Sequence, residues 1–165
     1  MRDVLQTLHA QPFLKRHIDH PTEATALSVT GTPGLALEGQ LFPDTYLVPK
    51  GTTDVELLTW AHARLRRELE AAWAKRAPGL PFAHVGEALT LASIIEKETG
   101  NPEERARIAG VFVNRLRKGM LLQTDPTVIY GMGERYSGVL HKADLRSEEH
   151  TSELQSHSFI SYAVF

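Results

Sequence analysis

The sequence predicts an α+β fold that is mainly helical, with short strands before its main helices. Residues 53–75, 86–99 and 101–119 carry apolar side chains at three-to-four spacing together with helix-end signals, a pattern typical of amphipathic helices. Residues 35–49 instead break short apolar pieces with one glycine and two prolines, which predicts short extended segments and turns. The length of 165 residues suits about one domain.

Composition excludes several classes of protein. A hydrophobic content of 42% and a charged content of 23% are those of a globular chain, and a net charge of -2 argues against a general nucleic-acid binder. The absence of cysteine excludes a disulfide framework, a thiol nucleophile and a Cys-based zinc site. No run of about 18 apolar residues predicts a membrane span, and the first residues lack the apolar core of a signal peptide.

The first third of the chain predicts little regular structure. Apolar residues between Val4 and Ile18 have helical spacing, but Pro12 should break that helix. Residues 19–34 are rich in proline and glycine, and we expect a loop or linker there.

The next two helices have clear end signals. Thr53 followed by Glu56 forms a capping box, which predicts a helix from there to about Lys75. The second helix should cover residues 86–99 and end at Gly100 in a left-handed conformation.

The last predicted helices also begin at capping residues. Asn101 and Pro102 predict the start of a third helix that ends at Gly119. Asp125 predicts the start of a short fourth helix that reaches Tyr130.

Residues 146–165 do not continue this pattern. The segment changes from a polar run without periodicity to a short apolar run, and it resembles the translation of a DNA sequencing-library adapter. The alternative is a frayed natural terminus. We treat the segment as a non-native tail and expect the natural chain to continue beyond Leu145.

One carboxylate extends an apolar line in the second helix. At about 100° per residue, Val85, Leu89, Ala92 and Glu96 fall on one line. A carboxyl group held against apolar side chains keeps its proton more readily and can donate it to a leaving oxygen. The alternative is that Glu96, like the nearby Glu98, is a solvated residue near a helix end.

A second group of polar side chains follows the third helix. Residues 121–133 contain Gln123, Thr124, Asp125 and Tyr130, which offer amide, hydroxyl, carboxylate and phenol groups suited to hydrogen bonding with a sugar. The alternative is an ordinary turn capped by Asp125.

Other site chemistries have less support. Neither His17 with His20 nor His62 with His84 has the spacing of a metal motif, so each is expected at the surface or in packing. No phosphate-binding loop and no nucleophile elbow is present, and we expect neither a metal nor a cofactor.

Four blocks together resemble the endolytic murein transglycosylases, a family of membrane-anchored lytic transglycosylases of bacterial cell-wall synthesis. The blocks are residues 37–46 (LEGQLFPDTY), 92–99 (ASIIEKET), 111–116 (VFVNRL) and 122–133 (LQTDPTVIYGMG). The resemblance identifies residues 35–145 as part of a transglycosylase catalytic domain.

The resemblance implies a chemistry for Glu96, the family's catalytic acid. The family cleaves the MurNAc–GlcNAc β-1,4 bond of peptidoglycan without water and leaves a 1,6-anhydroMurNAc end. One carboxylate suffices because the sugar's own 6-hydroxyl attacks, whereas ordinary glycosidases need two carboxylates. Further residues match family motifs and are candidates for glycan contacts or for orienting Glu96: Glu38, Asn114, Gln123, Asp125 and Tyr130.

The resemblance also implies an organisation that is incomplete at both ends. Residues 1–34 would be the remnant of a LysM-like subdomain and its linker, preceded in the family by a membrane helix that this chain lacks. The parent protein would lie in the inner membrane with its catalytic domain in the periplasm. Its partners would be peptidoglycan strands and cell-wall synthases, with no nucleic acid, and a truncated chain would be weakly active or inactive.

Three other functions are compatible with the same residues. The domain could bind peptidoglycan as a scaffold without cleaving it. It could be a hydrolase that uses a second carboxylate such as Asp125. A pyridoxal-phosphate lyase has the least support, since Lys97 falls on the polar side of its helix.

Overall fold

The computed structural model describes residues 2–20, 22–32, 37–120, 122 and 124, and these form five α-helices. The helices are α1 (Arg2–Ala10), α2 (Glu23–Thr30), α3 (Asp54–Ala74), α4 (Val85–Glu98) and α5 (Pro102–Arg117). The chain divides into two compact units, Met1–Lys75 and Arg76–Phe165. None of the described helices is long and apolar enough to cross a membrane.

The predicted helical character is confirmed, but the predicted short strands are not. Among the described residues, the β-type pairing consists of one isolated parallel bridge between Lys15 and Thr53. Residues 42–49 form no regular secondary structure. Their part of the chain bonds to α3 instead, where Phe42 N–H donates to Ala61 O at 3.1 Å and His62 Nδ1 donates to Gln40 O at 2.9 Å.

The prediction of a loop over residues 19–34 is wrong, because α2 lies within that range. The Thr22 and Thr25 side chains each accept a hydrogen bond from the other residue's N–H, which satisfies two amides at the helix start. Gly31 ends the helix at a φ of 73°. Between these ends, Ala26 and Leu27 are buried, so packing stabilises a helix that is too short to persist alone.

The predicted start of α3 is confirmed. Thr53 Oγ1 accepts from Glu56 N–H at 3.1 Å, while the Glu56 carboxylate accepts from Thr53 N–H at 2.8 Å. The Thr53 backbone N–H, followed by its hydroxyl, lowers the pKa of Glu56 because both hydrogen bonds favour the charged form. The helix ends at Ala74, one residue before the predicted position.

A buried carboxylate joins the start of α3 to the segment after α1. Asp54 is only 6% exposed and accepts backbone N–H groups from His17 at 3.0 Å, Ile18 at 3.0 Å and Val55 at 2.8 Å. The Lys15 backbone N–H donates to Thr52 O, and the Lys15 carbonyl accepts from Asp54 N–H. These bonds hold residues 15–18 against the helix, where Ile18 enters the apolar core. That core consists of Leu5, Ile18, Ala26, Leu27, Leu37 and Leu58.

In the second unit, α4 and α5 pack against each other. The start of α5 is as predicted, with Asn101 Oδ1 accepting from Glu103 N–H at 3.1 Å, and Gly119 follows its end at a φ of 65°. The predicted left-handed cap at Gly100 is wrong, since α4 ends at Glu98, Thr99 follows in an extended conformation, and Gly100 is not among the glycines with a positive φ. The buried side chains of this unit are Leu91, Ile94, Phe112 and Leu122.

Two predicted features lie outside the described residues: the fourth helix at residues 125–130 and the adapter-like segment at residues 146–165.

Candidate functional site

Glu96 lies on the open side of α4, and its predicted place against a buried apolar line is wrong. The buried side of α4 carries Leu91 and Ile94, and at about 100° per residue Glu96 lies about 160° around the helix from Ile94. Of its predicted neighbours, Leu89 is only partly buried and Ala92 is exposed. The Glu96 side chain is 61% exposed, so it can reach a large substrate in solution.

The Glu96 carboxylate is held by Arg105 of α5. Arg105 Nη2 lies 2.9 Å from Glu96 Oε1 and 2.8 Å from Oε2. A guanidinium at this distance forms charge-assisted hydrogen bonds with a carboxylate, and these fix where the Glu96 carboxylate lies. The contact is open to water, with Arg105 42% exposed, and such pairs contribute little to stability.

The turn between α4 and α5 sets the position of this ion pair. Thr99 Oγ1 accepts from Asn101 N–H at 3.0 Å and donates to a Glu104 carboxylate oxygen at 2.9 Å. Thr99 is buried, and Asn101 caps α5 directly after it. This short connection sets where α5 begins, and Arg105 follows in its first turns. Sequence analysis missed Arg105, because no local spacing relates it to a glutamate nine positions earlier on another helix.

Asn114 is exposed on α5 and does not lie beside the ion pair. It follows Arg105 by nine residues, which corresponds to about 13 Å along the axis and about 180° around it. The helix therefore directs Asn114 away from Glu96, and its predicted contact with glycan stays a prediction.

Glu38 belongs to the first unit, in a tight turn that connects to α2 and α3. Its neighbour Leu37 is completely buried and donates its N–H to Glu23 Oε1 at 2.6 Å. Gly39 adopts a φ of 73°, a conformation that favours glycine. The turn thus gives Glu38 a defined, partly buried position. Three other predicted contacts, Gln123, Asp125 and Tyr130, lie outside the described residues.

Sequence analysis also missed a polar cluster around Arg64. The Arg64 guanidinium lies 3.1 Å from the Asp44 carboxylate and 5.2 Å from the centre of the Phe42 ring. Tyr46 donates its hydroxyl to Phe42 O at 2.8 Å, and burial, followed by the charge of Asp44, raises the pKa of that phenol. Part of the block at residues 37–46 therefore serves to hold the chain against α3.

The histidines include one packing residue, as predicted. His62 is buried and bonded to the Gln40 carbonyl, whereas His17, His20 and His84 are exposed. Within the part of the chain that the structure describes, no group of three or more His, Asp or Glu side chains could hold a metal ion.

Comparison with known proteins places these residues in a family context. The YceG-like family model matches residues 1–157, which include part of the segment interpreted as adapter-derived. The endolytic murein transglycosylase of Bacillus subtilis (strain 168) is 40% identical over 106 residues, covering 64% of this chain and 29% of the relative. That of Streptococcus pneumoniae serotype 2 (strain D39) is 33% identical over 144 residues, covering 80% of this chain and 26% of the relative.

The chain thus spans less than a third of the length of these curated relatives. The family match, in contrast, covers nearly all of the chain, including α4 with Glu96 and α5 with Arg105. The chain belongs to the YceG-like family.

Proposed function

We propose that the protein carrying this chain is an endolytic peptidoglycan lytic transglycosylase. The observation that carries the proposal is an accessible carboxylate, Glu96, on the face of α4 turned away from the core, in a chain whose family relatives are named endolytic murein transglycosylases. Its substrate would be the MurNAc–GlcNAc β-1,4 bond of a glycan strand, and the result would be trimming or termination of that strand.

In the proposed reaction, Glu96 acts twice. In its acid form it gives a proton to the glycosidic oxygen as the bond to the MurNAc anomeric carbon breaks. The 6-hydroxyl of the same MurNAc then attacks that carbon and gives its proton back to Glu96, which forms the 1,6-anhydro ring and restores the acid. Because the nucleophile belongs to the substrate, no second carboxylate has to activate water.

The same proposal assigns supporting roles and a location. Glu38, Asn114, Gln123, Asp125 and Tyr130 would contact the glycan or orient Glu96. Residues 35–145 would belong to the catalytic domain of an inner-membrane protein that faces the periplasm, and cell-wall synthases would be its partners. The segment 146–165 would not be part of the natural protein.

The test is the mass of the product. The complete protein encoded by the gene that contains this chain is incubated with peptidoglycan, and the released fragments are weighed by mass spectrometry. We expect fragments that are lighter by one water than the hydrolytic products. Reducing ends would instead show a hydrolase, and glycan retention without cleavage would show a binding module.

A further inference from the structure

The first unit contains an open groove between two segments that lie outside its helices. Residues 12–15 and 46–51 line this groove, which has a volume of about 1060 Å³. The segments are held together where Lys15 N–H donates to Thr52 O at 2.9 Å and where Lys15 forms its bridge with Thr53. The groove is therefore a built feature of the unit, and none of its lining residues is among the candidate glycan contacts.

The groove exposes large apolar side chains. The Leu47 side chain is 93% exposed and the Phe13 side chain is 53% exposed. The lining includes no side-chain carboxylate or amide, and the Tyr46 hydroxyl is already bonded to Phe42 O. Because sugars are recognised through such polar groups, the lining suits an apolar ligand better than a glycan.

Basic residues surround the groove. Residues 12–18 and 45–51 contain Lys15, Arg16 and Lys50 but no Asp or Glu, in a chain whose net charge is -2. The Lys15 ammonium lies over Gly51, where a β-carbon would be 3.6 Å from Nζ, so this charge is directed at the segment that carries Lys50.

The acidic groups at the start of α3 lie outside the groove lining. The carboxylates of Asp54 and Glu56 bind backbone N–H groups there, and the Glu56 charge also attracts Lys15. The lining itself contains two lysines and no acidic side chain, and exposed apolar side chains beside basic ones favour binding at the interface of an anionic membrane.

We propose that this groove docks on the surface of a bilayer that contains anionic phospholipids. Leu47 and Phe13 enter the boundary between headgroups and acyl chains, while Lys15 and Lys50 contact lipid phosphates. The proposal stands apart from the proposed catalytic function, since none of its residues belongs to the candidate site around Glu96.

The test measures sedimentation of the 165-residue chain with vesicles. We expect binding to vesicles of phosphatidylglycerol and phosphatidylcholine, little binding to phosphatidylcholine alone, and weaker binding as salt is raised. Lys50→Gln should lower the partition coefficient about fivefold, the effect of one basic residue near an anionic surface. Leu47→Asp should lower it more than about tenfold, because it removes an apolar contact and adds a repelled charge.

Two control variants make the same chemical changes elsewhere. Val111→Asp places an acid at another exposed apolar position, and Arg67→Gln removes an exposed basic residue from α3. Both should bind anionic vesicles as the unmodified chain does. Leu47 and Lys50 are exposed and lie outside the helices, so their variants should keep the helical circular-dichroism spectrum.

Three results would overturn the proposal. The first is an unmodified chain that does not bind anionic vesicles at low salt. The second is a control variant that weakens binding as much as its groove counterpart does. The third is a chain that binds peptidoglycan or a second copy of itself, rather than vesicles, through Leu47, as shown by pull-down on sacculi and by light scattering.

Discussion

Replacing Glu96 by glutamine should lower the rate of glycan cleavage by about four orders of magnitude, the upper end of the effects known for general acid–base catalysis. The amide has nearly the size of the acid, but it cannot give a proton to the leaving oxygen or take one from the 6-hydroxyl. Since the proposed reaction uses one carboxylate for both transfers, no other group replaces it. The measurement is the rate of release of 1,6-anhydro fragments from peptidoglycan by the complete protein.

The control for this variant is Glu98→Gln, which makes the same change two residues away at another exposed position on α4. Glu98→Gln should cleave at nearly the normal rate, and both variants should keep their helical content. If Glu96→Gln still cleaves while Glu98→Gln does not, the catalytic acid is Glu98 and the assignment to Glu96 is wrong.

Replacing Asp54 by alanine should destabilise the first unit by about 2–4 kcal/mol, since three backbone N–H groups lose their acceptor. The buried N–H of Ile18 is left unsatisfied at a cost of about 1–3 kcal/mol, and the part-buried N–H groups of His17 and Val55 add smaller amounts. Part of this cost is offset where water reaches His17. Residues 15–18 would then separate from α3, and Ile18 would leave the core. Urea unfolding followed by tryptophan fluorescence measures the effect, because Trp60 and Trp73 both lie in α3.

The control for Asp54 is Asp44→Ala. Asp44 forms an ion pair with Arg64 at 3.1 Å, with the two side chains 36% and 42% exposed, so its loss should cost less than about 1 kcal/mol. A similar shift of the unfolding midpoint in both variants would show that Asp54 acts as an ordinary surface charge.

Local signals explain which elements were predictable. The cap of α3 at Thr53 and the cap of α5 at Asn101 depend on side chains within three residues of the helix start, so both were read correctly. The missed helix α2 has a cap of the same kind, but its partner at Thr25 is a threonine rather than the usual glutamate. Nearby prolines and glycines then favoured a loop.

The strands predicted over residues 35–49 do not form in the described part, residues 37–49, because prolines and glycines indicate only that no long helix forms there. Whether an extended segment forms a sheet depends on a partner strand. Here the segment bonds to α3 instead. The Ala61 carbonyl accepts from Phe42 N–H, and the His62 ring donates to the Gln40 carbonyl.

The amino-acid sequence alone was enough for the family resemblance, for the starts of α3 and α5 and for the choice of Glu96 as the carboxylate to test. Which side of α4 is buried depends on packing, because apolar residues occur on several sides of that helix and periodicity cannot choose among them. Packing with Phe112 of α5 buries Leu91 and Ile94, and this turns Glu96 outward to meet Arg105. A contact between two helices depends on how they pack, and no spacing along one chain contains that information.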